Sequence, residues 1–490
     1  MKKSLFESLR EYGESDYYPF HMPGHKRNPA SGPLHSFYQY DITEIDGFDN
    51  LHQPEGIIKA AQERAAQLYH SEETYFLVNG STVGILSAIS AISGRGKKLI
   101  VARNCHKAVY HAAFLNRLEM EYIYPNMITD YELADGISKS QLEEKLKEIE
   151  DKENIAGIIL TSPTYDGIVS DVSGIVDLAH HYHIPVIVDQ AHGAHFGFHS
   201  SFPKHAVKEG ADLVIHSVHK TLPAPTQTAL LHRNGTLVDG EILRKYLRIY
   251  QSSSPSYLLM AGIDSCIELL EKEGKKRLDE LLTFRTDFMK ETNGLKYIHI
   301  FPSMLETGAY KDSVWESEKE EPGRLVISVY GSGLTGQQLY DRLRQDYHIQ
   351  MEMYGADYVV AILSIMDQRE GLERLSKALI EIDEGLAREE QRHDVTVKKV
   401  STCFLRPEHV LDMSETFVAS YKSIVLTKAE GQIASDFVNL YPPGIPLLVP
   451  GERIDTAMIH LIEQYLKNGY TLQGIFKEDE QSEYKIKVIL

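Results

Sequence analysis

Cysteine is scarce: only Cys105, Cys266 and Cys403 occur in 490 residues, and they stand far apart. Few, odd in number and far apart, they resemble neither a disulfide framework nor a zinc spacing, so a reducing cytoplasm is the expected compartment and no metal site is expected. No run approaches the roughly 18 apolar residues of a membrane span. The first residues, Met1-Lys2-Lys3-Ser4-Leu5-Phe6-Glu7, put charge where a signal peptide would carry its apolar core. Positive charge is in the minority, with Lys+Arg 51 against Asp+Glu 70 and a net charge of −19. Such a surface lacks the basic footprint that a phosphate backbone requires, which excludes nucleic acid as an expected partner. It favours cationic small molecules instead. Internal repeats and low-complexity tracts are also lacking.

What is present is a soluble, globular composition in a chain too long for one core, so two or three domains are expected. Between about residues 73 and 235, short apolar runs alternate with longer amphipathic stretches. Thr74–Val78, Lys98–Ala102, Glu121–Tyr124, Ile155–Thr161, Pro185–Asp189, Asp212–His216 and Thr228–His232 have the pattern of strands. Ser140–Glu150 and Asp171–His181 have that of helices. This alternation predicts an α/β unit with a mainly parallel sheet, whose ligands sit beyond the carboxyl ends of the strands. Helical periodicity runs from about Gly240 to Asn293. The acidic stretch Glu316–Gly323 has the composition of a solvent loop. Strands at Arg324–Tyr330 and Tyr358–Ile362, with helices at Thr335–Gln345 and Gly371–Ala387, predict a smaller α+β region. The expected division is 1–45 as an N-terminal segment, 46–293 as a large domain, 294–388 as a small domain and 389–490 as a C-terminal domain.

The chemistry concentrates at the predicted strand ends. One apolar run ends in Asp189 and is followed by Gln190-Ala191-His192; another, about thirty residues on, ends in Ser217-Val218-His219-Lys220. A lysine desolvated beside a strand end becomes nucleophilic. With a partner acid on the neighbouring strand, it is what a pyridoxal 5'-phosphate site needs: Lys220 for the Schiff base and Asp189 for the pyridine nitrogen. His192 is close enough in sequence to meet the same cofactor or the substrate carboxylate. Gly80-Ser81-Thr82, between a strand and the apolar helical run Val83–Ile92, suits a phosphate cup at a helix start, although a plain Ser/Thr cap has the same composition. His106 follows another strand end, where its ring could stack on a cofactor, and Cys105 suits packing rather than nucleophilic attack. Ser252-Ser253-Ser254-Pro255-Ser256-Tyr257 is either a polar helix-start loop or part of a phosphate site. Tyr441-Pro442-Pro443-Gly444-Ile445-Pro446 leads to Pro450-Gly451-Glu452, an acid suited to a cationic substrate or to a helix N-terminus.

Taken with Phe20-His21-Met22-Pro23-Gly24-His25-Lys26, Arg103-Asn104-Cys105-His106-Lys107 and Thr161-Ser162-Pro163-Thr164-Tyr165-Asp166-Gly167, these motifs in this order resemble the bacterial Orn/Lys/Arg decarboxylases nearly end to end. The resemblance implies the aspartate-aminotransferase-like fold (fold type I), with Lys220 carrying the cofactor, Asp189 on its ring nitrogen and His106 stacked on the ring. It implies that Ser81, Thr82, Ser217 and His219 hold or flank the phosphate. Ser252 and Ser254 would reach the neighbouring subunit's site, and Glu452 would meet the substrate's distal cation. A basic L-amino acid would displace Lys220, lose CO2, and regain a proton at Cα from Lys220 or His219.

The larger members carry an N-terminal wing domain, whereas this chain opens almost at the Phe20–Lys26 motif, so a homodimer or slightly larger assembly is expected. The turn Gly47–His52 has Asn50 where a second acid is expected. By analogy arginine is slightly favoured over lysine and ornithine, in polyamine synthesis. The rivals are another fold-type-I enzyme, an aminotransferase or lyase, and a non-catalytic pyridoxal-phosphate-binding regulator. A transaminase would use an arginine of the small domain to clamp the α-carboxylate, and neither Arg374 nor Arg453 has a recognisable setting for that.

Overall fold

The computed structural model describes residues 3–128, 133–301, 321–390, 404–440, 444–467, 469–479 and 481–490. Cys403, the Tyr441–Pro443 motif residues and much of the expected 316–323 loop lie outside them.

Seven strands form the central sheet: β1 (Glu73–Leu77), β2 (Lys98–Ala102), β3 (Glu119–Ile123), β4 (Ile155–Thr161), β5 (Val186–Asp189), β6 (Leu213–Ser217) and β7 (Ala229–Arg233). Their order is β1-β7-β6-β5-β4-β2-β3. All neighbours from β3 to β6 pair in parallel, and β7 runs antiparallel to both β6 and β1. β2 and β4 have the boundaries expected from sequence. The edge strand β3 begins two residues earlier than expected, since Glu119 pairs with Lys98 although its polar side chain breaks the apolar run. β6 and β7 each end one residue later than expected, because Ser217 pairs with Ala229 and Leu213 with Arg233. Register, which composition does not record, sets those ends.

β4, β5 and β6 are buried along almost their whole length, the unbroken Ile/Val/Leu pattern of a parallel sheet covered on both faces. The helix Gly80–Ile92 is apolar nearly all round and lies against the sheet. A Cβ at Gly84 would stand 2.7 Å from Leu77 Cδ1 and 3.2 Å from Ile215 Cγ2, so only glycine permits this approach.

The helical stretch after Gly240 is two helices, Gly240–Tyr250 and Tyr257–Thr292, broken at the Pro255 turn. The second, 36 residues long, leads to an antiparallel sheet ordered His299–Phe301, Arg324–Ser328, Tyr358–Ile362, Met353–Tyr354. The helix Leu5–Gly13, with a capping box from Ser4 and Glu7, joins the same apolar cluster through Leu5 and Leu9. The Leu5 N–H donates to the buried Asp264 carboxylate on the long helix at 2.9 Å. The last segment holds two small three-stranded sheets and the helix Thr456–Lys467 around their own core. No strand was expected there. Among the described residues no helix is long and apolar enough to cross a membrane.

Candidate active site

The carboxyl ends of β1, β2, β4, β5 and β6 surround a cavity of about 470 Å³. Ser81, Thr82, His106, Asp189, His192, Ser217, His219 and Lys220 all line it, so the sheet gathers residues that stand 139 positions apart at the extremes (220 − 81). Ser252 and Ser254 lie exposed on the turn before the long helix and do not line this chain's own cavity. The turn is nonetheless tied to it, because the Ser252 N–H donates to Asn79 Oδ1 at 3.0 Å, next to Gly80.

β6 ends at Ser217 and passes straight into the single helical turn Val218–Thr221, which delivers Lys220 to the cavity. Its Nζ is 2.9 Å from His192 Nε2. Burial lowers the Lys220 pKa; Asp189 pulls it upward and Arg324 downward. Asp189 ends β5, is almost fully buried and accepts from the Ala191 N–H at 3.2 Å. Burial raises its pKa, against the pull of Lys220. A buried acid facing a cavity suits a cationic ring nitrogen.

His106 caps the helix Lys107–Asn116, with Nδ1 accepting from the Ala108 N–H at 3.2 Å. That assigns its ring proton to Nε2, and burial lowers its pKa to about 4, so the ring is neutral at physiological pH. His219 has the opposite tautomer: Nδ1 donates to Thr228 O at 2.8 Å, and burial lowers its pKa. Gly80 starts its helix at φ +77°, and Asn79 makes no capping bond there. The Ser81 and Ser217 hydroxyls touch each other at the same end. The Gly80 N–H donates to Gln227 O at 2.9 Å, and the helix start that follows, with no side-chain cap and with paired hydroxyls beside it, suits an anion. Cys105 is fully buried, and burial pushes its thiol up to about 12, as expected of a packing residue.

Sequence reasoning missed Arg324, Glu352 and Gln227. Glu352 and Gln227 line the cavity, and Arg324 stands behind His192, its Nη2 on His192 Nδ1 at 2.5 Å. Arg324 opens the second strand of the small sheet, and its only signal in the sequence is a charge heading an apolar run. Arg374, by contrast, is exposed and donates to Tyr347 O, and Arg453 pairs with Glu408.

A second, apolar cavity of about 140 Å³ adjoins the first and shares Ala134, Tyr165, Asp166 and Ile445 with it. Asp166 accepts from the Tyr358 hydroxyl at 3.3 Å, and burial raises its pKa to about 6. Glu352 accepts from the Tyr165 hydroxyl.

Glu452 lines neither cavity. It is 1% exposed, 3.3 Å from Arg103 Nη2, and accepts from the Val449 N–H at 2.7 Å. Arg103 also donates to Pro446 O at 2.7 Å and Leu447 O at 3.2 Å, so the pair braces the strand Ile445–Leu448 against the end of β2. Removing one member of such a pair leaves the other charge buried and alone. Glu452→Ala is therefore expected to cost about 3–5 kcal/mol of unfolding free energy, read as a lowered denaturant midpoint, and an unchanged midpoint would contradict this placement.

The donor set fits pyridoxal 5'-phosphate. It offers an amine, an acid for a ring nitrogen, a neutral aromatic ring and an anion-binding helix start around one cavity. Sheet order and site together define an aspartate-aminotransferase-like enzyme of fold type I. Solved structures of that fold include a NifS-like protein, at TM-score 0.51 and 15% identity over 70% of this chain and 93% of the other.

The sequence profile of the Orn/Lys/Arg decarboxylase major domain matches residues 3–322, and that of the family's C-terminal domain matches residues 403–489. The chain belongs to the Orn/Lys/Arg decarboxylase family, a family of amino acid carboxy-lyases. It is 30% identical to the arginine decarboxylase of Bacillus subtilis (strain 168) over 99% of this chain and 97% of the relative. It is 21% identical to the constitutive lysine decarboxylase of Escherichia coli (strain K12), over 99% and 81%. The lysine decarboxylase LdcF of Francisella novicida superposes at TM-score 0.81 with 19% identity, over 99% and 81% of the two chains.

Proposed function

We propose that this chain, with pyridoxal 5'-phosphate bound, decarboxylates a basic L-amino acid to the corresponding amine and CO2, arginine slightly ahead of lysine and ornithine. One observation carries it: the cavity that holds Lys220 and Asp189 also presents two further acids, Asp166 and Glu352. Lys220 would carry the cofactor, and Ser81, Thr82 and Ser217 would hold its phosphate. Asp189 would keep the proton on the ring nitrogen, and His106 would pack on the ring. Bound pyridoxal 5'-phosphate supplies a cationic aromatic system that accepts the electron pair left by CO2. Asp166 and Glu352 attract the substrate's distal cation, which fixes the orientation of its carboxylate. His219 keeps its ring proton on Nδ1 toward Thr228 O and, while neutral, has none on Nε2 to give, which favours Lys220, once it has taken a proton from the substrate's α-ammonium, as the group that would return one to Cα. Arg324 spends its donors on Tyr165 O, Gly323 O and His192, and pairs with Glu321, so it is not presented as the carboxylate clamp of an aminotransferase. Ser252 and Ser254, exposed outside their own cavity, would meet that of a second copy in a cytoplasmic homodimer.

The test is kcat/KM for L-arginine, L-lysine and L-ornithine against L-citrulline and L-norleucine, which keep the length and lose the charge. A charge-assisted hydrogen bond is worth about 1.5–3 kcal/mol, so the neutral analogues should fall by at least about tenfold. Equal turnover would sink the proposal. Asp166→Asn should likewise lower kcat/KM for the basic substrates by roughly tenfold to a hundredfold, with little effect on norleucine. The pH dependence follows in sign. Asp166 is anionic above about 6 and neutral below it, so kcat/KM for the basic substrate should fall as pH drops through that value. In Asp166→Asn that limb should disappear from the profile.

A further inference from the structure

We propose that Arg324 is a positioning residue: it fixes the tautomer of His192 and thereby holds Lys220 as a free amine. The inference goes beyond the proposed reaction and rests on it only in taking Lys220 as the cofactor-bearing lysine. A guanidinium has donors and no acceptor. Its Nη2 is 2.5 Å from His192 Nδ1, so that nitrogen must offer a lone pair. The ring proton therefore sits on Nε2, and Nε2 is 2.9 Å from Lys220 Nζ. An N–H directed at the lysine requires the lysine to accept, which a free amine does and an ammonium cannot.

The arrangement is rigidly supported. Arg324 is 2% exposed, with Nε on Tyr165 O at 3.3 Å and Nη1 3.3 Å from Glu321 Oε2. Glu321 Oε1 is in turn 3.0 Å from His195 Nε2. The Tyr165 ring packs edge-on against His192, with centroids 4.8 Å apart. Gly167, at φ +94°, leaves room for the arginine stem, where a Cβ would stand 2.6 Å from Arg324 Cγ. Of the groups around Lys220, Asp189 and Glu352 favour its charge. Burial and Arg324 oppose it, and Lys220 in turn disfavours a charge on His106, His192 and His219. Burial likewise drives His192 well below the ordinary histidine range. A proton that Lys220 takes from the incoming substrate's α-ammonium would face the Nε2–H, so the residue would give that proton up readily, as the return to Cα requires.

Lysine carrying ¹³C at Cε reports the protonation of each Nζ by NMR, and the Lys220 signal is assigned as the one missing in Lys220→Arg. In the full chain without added cofactor, Lys220 should titrate below the surface lysines. Arg324→Gln can accept from Nδ1–H and so frees the ring to flip, and its Lys220 should move toward the surface lysines. Arg324→Lys keeps a donor on Nδ1 and should restore the wild-type titration. At neutral pH, covalent uptake of added pyridoxal 5'-phosphate (amine and aldehyde combining with loss of one water) should slow roughly tenfold in Arg324→Gln, since each unit of pKa changes the free-amine fraction tenfold. Lys220 titrating with the surface lysines in the wild type would overturn the proposal, even if Arg324→Gln failed to fold. So would an Arg324→Gln titration identical to wild type. These outcomes are independent of CO2 release, so the proposed reaction can fail while this inference stands, and the reverse.

Discussion

Lys220→Ala should abolish covalent cofactor attachment, read as loss of the cofactor's mass after borohydride reduction, and should lower amine production by at least on the order of 10⁴-fold, the scale seen when a catalytic nucleophile is deleted. The size follows from the position. The helical turn Val218–Thr221 delivers this amine to the cavity opposite Asp189, and alanine leaves neither an anchor for the cofactor nor a donor for Cα. The fold should persist, because among the described residues the Lys220 amine is hydrogen-bonded to His192 and Lys220 belongs to no apolar cluster. Retained turnover with a folded protein would contradict its role.

Asp189→Asn should lower kcat by about 10²–10³-fold, the usual cost of removing one preorganised charge from a water-excluded site. The substitution is isosteric and can still accept from the Ala191 N–H, so β5 and the cofactor's attachment at Lys220 should survive. What is lost is the negative charge that would keep a ring nitrogen protonated, and an amide in a buried setting does not replace it. The effect should therefore fall on kcat more than on KM. A loss confined to KM would show that Asp189 binds substrate instead.

The central sheet and the core of the site were legible because both are written locally. The central parallel strands are short and mainly apolar, and Asp189, Ser217, Lys220, His106, Ser81 and Thr82 end such runs or follow them within a few residues. What did not show in the sequence comes from elsewhere in the chain. Arg324 reaches His192 across 132 positions, and Tyr165 meets Glu352 across 187. No period or spacing encodes such meetings, which depend on how the small sheet docks on the large one. Glu452 illustrates the same limit from the other side. The Pro450-Gly451-Glu452 turn offered an acid for a substrate cation or a helix N-terminus, whereas the partner of Glu452 is Arg103, 349 positions away in the motif that also supplies His106. A tight turn announces that an acid is held, and only tertiary packing decides what it holds. Histidine capping was hidden for a chemical reason: His106 caps its helix through a ring nitrogen, where Ser, Thr, Asp or Asn would ordinarily mark the start.

The central claim is that one cavity, built on Lys220 and Asp189, removes the carboxylate of a basic amino acid. Carboxyl-labelled L-arginine, L-lysine and L-ornithine incubated with the chain and pyridoxal 5'-phosphate test it directly. The expected result is labelled CO2 matched mole for mole by the amine with at least one of the three, and none with Lys220→Ala. Label retained in a keto acid, or no release from any of the three by the folded, cofactor-loaded protein, would contradict it.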